Sequence, residues 1–332
     1  MYKNIVYGIF LTLLVVSFSF LYIFVRHIPP NLKGVLFSLN KKHLLFSLLS
    51  LFSFHTFDNL RVFFISRALG FRYPFWYGYQ VSLVSTFGAT ITPAHLGGEI
   101  FPFYTLRRVG GEIAQILSVI TLKGFAGLVF YLLLFPFMLE NLVKHPEKAL
   151  ELLLIIGSLF AIFGLSFIVG KVIFKKRPQI VSGSFLFRLK FNFLKYLLIC
   201  KNFFKLHKKV FCLAIFFSLF MYISFLMVGI FLVKAFRQEA PFWALFSNQL
   251  PLLYAIFISP TPGGSGVGEL GAIVVFKDFL TVESIGIFAM LWRILSQYLS
   301  AMIGGVIFFV MGTKDLLNKK NSQTKHSFFK EC

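Results

Sequence analysis

The sequence predicts an all-α integral membrane protein, with about six full spans plus two short broken or re-entrant segments, arranged as two inverted repeats. Three observations carry this expectation. Of the 332 residues, 58% are hydrophobic and only 14% charged, with a mean hydropathy of +0.82. A water-soluble chain needs roughly a quarter of its residues charged, and fewer than half apolar, to coat itself. The apolar residues are gathered into runs long enough to cross about 30 Å of hydrocarbon. Finally, a set of motifs recurs at an offset close to half the chain.

Taken in order, the first apolar run, residues 5–25, comes after the single Lys3. It is longer than a signal-peptide core and lacks a small-residue cleavage site, so it reads as a retained span. Runs 44–65, 113–139, 149–174, 210–233 and 285–311 complete the six full spans. Residues 75–91 and 242–258 are shorter and end in Thr92-Pro93 and in Ser259-Pro260-Thr261-Pro262-Gly263-Gly264. Each is therefore either a complete crossing or a broken helix that re-enters.

Between the spans, residues 171–209 carry eleven Lys or Arg and no acid, which places this connection in the cytoplasm. Its Phe- and Leu-rich centre with spaced cations is the pattern of a helix lying in the interface against anionic headgroups. The tail beyond Lys314 is basic and cytoplasmic as well, whereas residues 140–151, with Glu140, Glu147 and Glu151, form an outside loop. The formal net charge of +21, from 33 Lys and Arg against 12 Asp and Glu, is thus a matter of orientation in a multi-pass inner (cell) membrane protein and not of nucleic-acid binding. Cys200, Cys212 and Cys332 have neither CxxC spacing nor a framework of pairs, so disulfides and cysteine-built metal sites are not expected.

The internal repeat divides the chain into residues 1–140, residues 141–311 with the basic connection 174–209, and the tail 312–332. Pro74-Phe75-Trp76 opens the first short segment, followed by Thr92-Pro93, Gly97-Gly98-Glu99 and then Lys123 inside the next span. Pro241-Phe242-Trp243 opens the second, followed by Thr261-Pro262, Gly263-Gly264, Glu269 and then Arg293. Glu99 to Lys123 and Glu269 to Arg293 are both 24 residues apart, and the offset between halves is 167 to 170. Charge then orients the halves oppositely: the cytoplasmic Lys209 sends the following span outward, and the acidic loop requires the Lys123 span to run outward too. Both termini are cytoplasmic in this arrangement, although residues Arg26, Lys33, Lys41 and Lys42 then lie outside, against the charge rule. Inverted halves with matched broken elements are the signature of secondary transporters, whose substrate site lies near the midplane.

Four residues stand out as candidate substrate-binding groups because hydropathy disfavours them: Glu99, Lys123, Glu269 and Arg293. Each glutamate fits two roles, a functional carboxylate or a helix N-terminal cap. Each cation either pairs with its glutamate or holds a lipid phosphate. The run Gly263-Gly264-Ser265-Gly266-Val267-Gly268 lacks the strand and the Lys-Ser/Thr of a nucleotide loop. Gly263, Gly264 and Gly266 instead let the backbone bend and expose amides around a cavity, where a phosphate could be cradled. Ala94-His95-Leu96-Gly97-Gly98 is the matching first-half segment, and His95 its one histidine. Asp58 and Arg61, three apart, read as an intrahelical pair near the interface or a secondary site, and Arg107 and Arg108 sit at cytoplasmic headgroup level. No metal, cofactor or acyl-transfer motif is visible.

The stretch TPAHLGGEIFPFYTLRRVGGE (92–112) with its Lys-containing span, and SPTPGGSGVGELGA (259–272) with MLWRILSQYLSAMIGG (290–305), resemble the lysylphosphatidylglycerol synthase transmembrane-region family of flippase-like membrane proteins. The family's usual Arg after the first motif is Lys123 here, which keeps the charge and loses the bidentate fork. The chain ends about twenty residues after its last span, so the resemblance is to the membrane module without the soluble synthase domain. It implies movement of a phospholipid, such as an aminoacyl-phosphatidylglycerol, or of a lipid-linked headgroup between leaflets. The alternative it leaves open is a membrane enzyme or subunit of an aminoacyl- or glycosyl-lipid transferase; a separately encoded synthase would then be the partner.

Overall fold

The computed structural model describes residues 2–27, 32–173, 183–237 and 239–328. Residues 174–182 of the basic connection, and the last four residues with Cys332, lie outside the described residues. The helices in order are α1 (Tyr2–His27), α2 (Leu32–Ser38), α3 (Lys41–Ala68), α4 (Phe75–Ile91), α5 (Gly97–Arg108), α6 (Ile113–Lys144) and α7 (Pro146–Ile173). They continue as α8 (Gly183–Leu206), α9 (Lys208–Phe236), α10 (Phe242–Ile258), α11 (Val267–Phe276), α12 (Val282–Arg293) and α13 (Leu299–Phe328). A five-residue π-helical stretch, Ile294–Tyr298, joins α12 to α13. Among the described residues there is no strand.

Among the described residues, three stretches are by themselves long and apolar enough to cross a membrane: Ile113–Lys144, Lys208–Phe236 and Val282–Leu317. Helix α3 has the length, at 28 residues, but its interior carries His55, Asp58, Asn59 and Arg61, which lower its hydropathy. Those polar groups are buried by protein. Helix α3 packs antiparallel to α9 along most of its length, with Ser47 Oγ donating to the Val228 carbonyl at 2.9 Å and Arg61 Nη1 to Ser218 Oγ at 3.4 Å. Rings of Phe46 and Phe57 meet Phe231 and Phe220 along the same seam.

The two short segments do not run on into the next helices. Pro74 and Pro241 occupy the N-cap positions, where a missing N–H costs nothing, and each is followed by a 17-residue helix. At Thr92-Pro93 and Thr261-Pro262 the chain turns back. The short helices α5 and α11, which hydropathy alone does not separate from the succeeding spans, return alongside α4 and α10. The α4–α5 hairpin is antiparallel, because Ser85 Oγ donates to Gly98 O at 2.6 Å near the turn and Tyr77 Oη to Thr105 O at 2.8 Å near the open end. Its backbones touch: a Cβ on Gly97 would lie 2.2 Å from the Gly88 carbonyl oxygen. In the second hairpin Gly271 packs on Leu252 and Gly264 on Ile256.

The close backbone contact makes a prediction. Gly97→Ala should destabilise the detergent-solubilised protein by about 1–3 kcal/mol, the range for overpacking against atoms that cannot rotate away. Gly157→Ala, whose Cβ would meet nothing within 4 Å, should be neutral or stabilising by about 0.5–1 kcal/mol. Equal thermal unfolding of the two variants would contradict the hairpin packing.

Candidate functional site

The two turns share a pair of left-handed residues after the proline and then diverge, Leu96 being helical where Ser265 is extended. In the first, Ala94 and His95 have φ of 51° and 57°; in the second, Gly263 and Gly264 have φ of 59° and 66°. Left-handed geometry is free for glycine and strained for Ala and His. Glycine at 263 is required twice over, since a Cβ there would come within 2.9 Å of Thr90 Cα in the opposite turn. The tips of the two hairpins therefore touch. Gln297 Nε2 donates to Thr90 Oγ1 at 2.7 Å and Thr12 Oγ1 to the Thr90 carbonyl at 3.1 Å, which ties the contact to α1 and to the π-helical stretch.

Beside each tip stands an ion pair of the spacing read from the sequence. Glu269 and Arg293 are wholly buried, with Nε to Oε1 at 3.2 Å. Arg293 Nη2 also donates to the Gly263 carbonyl at 3.0 Å, the Gly266 amide donates to Glu269 Oε2 at 2.6 Å, and the Tyr298 hydroxyl donates to Glu269 Oε1. Glu269 thus both caps α11 and neutralises Arg293. One donor of that guanidinium, Nη1, has no hydrogen-bond partner among the described residues. The first-half pair is different: Lys123 Nζ lies 3.2 Å from Glu99 Oε2, Lys123 is 5% exposed and Glu99 50%. Lys123 also donates to the Gly98 carbonyl at 3.4 Å.

Glu99 and Lys123 open onto a cavity of about 460 Å³ between α3, α5, α6, α9 and the end of α10. Arg61, His95, Tyr131 and Tyr222 share its wall, and Leu96, Phe125, Leu128 and Phe257 form its apolar rim. The rim residues are exposed, as lipid-facing residues are. Arg61 is held by Asp58, with Nε to Oδ1 at 2.8 Å, the intrahelical pair their spacing suggested; both are buried, Arg61 in the cavity wall and Asp58 behind it. The cavity wall so presents two cations backed by two carboxylates. Such a surface can take the phosphate of a headgroup on Arg61 and Lys123, and a cationic group on Glu99.

Of the residues singled out by the sequence, Arg61, His95, Glu99 and Lys123 come together at the cavity, while Gly263, Gly264, Gly266, Glu269 and Arg293 form the sealed structure behind it. His95 stands between them, next to Gly263 and Arg293. Arg107 and Arg108 lie elsewhere: Arg108 pairs with Asp315 of α13 at 2.8 Å and Arg107 donates to the Gly111 carbonyl at 2.9 Å. Sequence reasoning missed Tyr131, Tyr222 and Tyr298, aromatic residues indistinguishable from the other lipid-facing rings until the helices are packed. It also missed Lys148, buried with Asp278 at 2.5 Å and Asn248 at 3.0 Å.

These features define an all-helical membrane protein with a charged, laterally rimmed cavity beside two broken helical hairpins. The chain belongs to the lysylphosphatidylglycerol synthase TM region family, whose pattern residues 5–304 match. It is similar to a UPF0104 membrane protein of Archaeoglobus fulgidus, with 20% identity over 264 residues, covering 74% of this chain and 80% of the relative.

The two ion pairs should respond differently to mutation. Arg293→Leu leaves Glu269 charged in the interior, and should cost about 3–5 kcal/mol of stability. Glu99→Gln, at a half-exposed carboxylate, should change thermal unfolding by less than about 1 kcal/mol. Similar losses for both variants would contradict the contrast between a sealed pair and an open one.

Proposed function

We propose that this protein moves a phospholipid, such as phosphatidylglycerol or its aminoacyl derivative, or a lipid-linked headgroup, between the leaflets of the cell membrane, downhill or coupled to an ion. The observation that carries the reading is the cavity wall of Arg61, Lys123 and Glu99 set behind a rim of exposed Leu and Phe. A soluble substrate needs no apolar rim. A lipid needs both, because its headgroup must leave water while its tails stay in hydrocarbon. The cations hold the phosphate, and Glu99 receives the amine of an aminoacyl headgroup such as that of aminoacyl-phosphatidylglycerol. The basic face of α8, whose Tyr196 meets Thr121 at 3.1 Å beside the cavity, gathers anionic lipids at its mouth.

In this reading residues 1–140 and 141–311 are inverted repeats. The first comprises α1, α3, the α4–α5 hairpin and α6; the second comprises α7, α9, the α10–α11 hairpin and the α12–α13 span. The first hairpin dips in from the cytoplasm and the second from outside. Lys123 lies ten residues into α6 and Arg293 eleven residues beyond Val282. At 1.5 Å per residue each is about 15 Å from the start of an oppositely directed span, half of a hydrocarbon layer of about 30 Å. The paired left-handed residues of the two turns, the equal 24-residue spacings and the touching tips support this arrangement.

Two measurements test the proposal. A fluorescent phosphatidylglycerol in proteoliposomes should exchange leaflets with the native chain, and Arg61→Ala or Lys123→Ala should slow it ten- to a hundredfold, as removal of a charge-assisted bond of about 1.5–3 kcal/mol implies. Exchange at native rates in both variants would refute the cavity assignment. Reporters fused at residue 35 and after residue 328 should report outside and cytoplasm; a cytoplasmic reporter at 35 would overturn the topology.

A further inference from the structure

We propose that His55 and Asp58 form a proton site wired to the cavity, so that an anionic headgroup enters together with one proton. The inference rests on reading the cavity as a headgroup site. Asp58 stands behind the cavity wall, 6% exposed, gripped by Arg61 through Nε at 2.8 Å and Nη2 at 2.7 Å. The Ser82 hydroxyl of α4 lies beside the same carboxylate. His55, one turn earlier on α3 and 5% exposed, places Nδ1 2.8 Å from Ser82 Oγ and Nε2 2.7 Å from Ser300 Oγ of α13. Ser82, His55 and Ser300 therefore make one hydrogen-bonded chain that reaches α13, and its Ser82 end stands beside the Asp58–Arg61 pair at the cavity wall. An imidazole joined to a carboxylate is not needed to pack three helices, and apolar residues would fill this interior at lower cost.

Both charge states of His55 keep both ring nitrogens hydrogen-bonded. A neutral imidazole accepts from one serine hydroxyl and donates to the other. An imidazolium donates to both, which turns the Ser82 hydroxyl hydrogen toward Asp58, the carboxylate beside it. The charged and titratable groups facing the pair are Asp58 for His55, and for Asp58 they are Arg61 on its own helix, Lys123 on α6, Tyr222 on α9 and Tyr73 before α4.

Charge balance then decides the stoichiometry. Arg61 and Lys123 are matched by Asp58 and Glu99, so the empty cavity is neutral in total. A headgroup phosphate adds one negative charge to a region where an unbalanced charge is costly. One proton, taken from solvent through the cavity onto Asp58 and passed by the Ser82 hydroxyl to a ring nitrogen of His55, restores neutrality. The bonds formed and broken are O–H and N–H alone.

Purified full-length protein in detergent, titrated with phosphatidylglycerol in weakly buffered solution containing a pH indicator, tests the idea. Saturable binding should take up about one proton per lipid, and binding should tighten as pH falls, by up to tenfold per unit. Zwitterionic phosphatidylcholine should produce no uptake. His55→Gln, and independently Ser82→Ala, should cut the uptake to below about a quarter while saturable binding persists. Binding without proton uptake in the native chain, or full uptake in both variants, overturns the proton site alone. Absence of saturable phosphatidylglycerol binding overturns the headgroup site and this inference with it.

Discussion

A backbone that breaks inside a membrane has no water to satisfy its amides and carbonyls, so protein must surround it. Here each break is covered by the other. Gly263 meets Thr90 at a distance only a residue without a side chain allows, and Gln297, Thr12 and Arg293 bind the carbonyl and hydroxyl groups exposed there. The positions of α1, α12 and the π-helical stretch result from that contact. A π-helical insertion, which shifts the register of a helix, brings both Gln297 and Tyr298 to the tips from one side of the same span.

The same motif has two environments. Glu269 and Arg293 are sealed by Tyr298, whereas the residue in the matching place of the first half, 170 positions earlier, is Leu128, on the cavity rim with no hydroxyl to offer Glu99. A fully buried pair with added hydrogen bonds acts as a rigid brace, because losing either partner strands a charge. A pair that is open on the carboxylate side can exchange its partner for a ligand. The two pairs of like spacing are thus a sealed brace and an open cavity wall, with His95 between them.

Burial of Asp58, Asn59, Arg61 and His55 on α3 obeys the same logic. These groups make α3 a poor span by hydropathy, and the antiparallel seam with α9 and the flank of α4 supply the partners that hydrocarbon lacks. The helix that looks least suited to the membrane carries the cavity's polar wall.

Membrane class, the boundaries of both 17-residue helices, the paired breaks and the Glu-to-cation spacing were all legible in the sequence, because hydropathy, proline and glycine act locally and the repeat exposes them twice. The order of the helices around the site was not. Whether a Thr-Pro break continues or folds back depends on the partner that receives it, and that partner lies some 170 residues away. Nor could spacing separate the sealed ion pair from the open one, or place Arg61 in the cavity wall. Local chemistry determined which residues are out of place in a membrane; only the packing of distant helices decided which of them are satisfied and which remain free to bind.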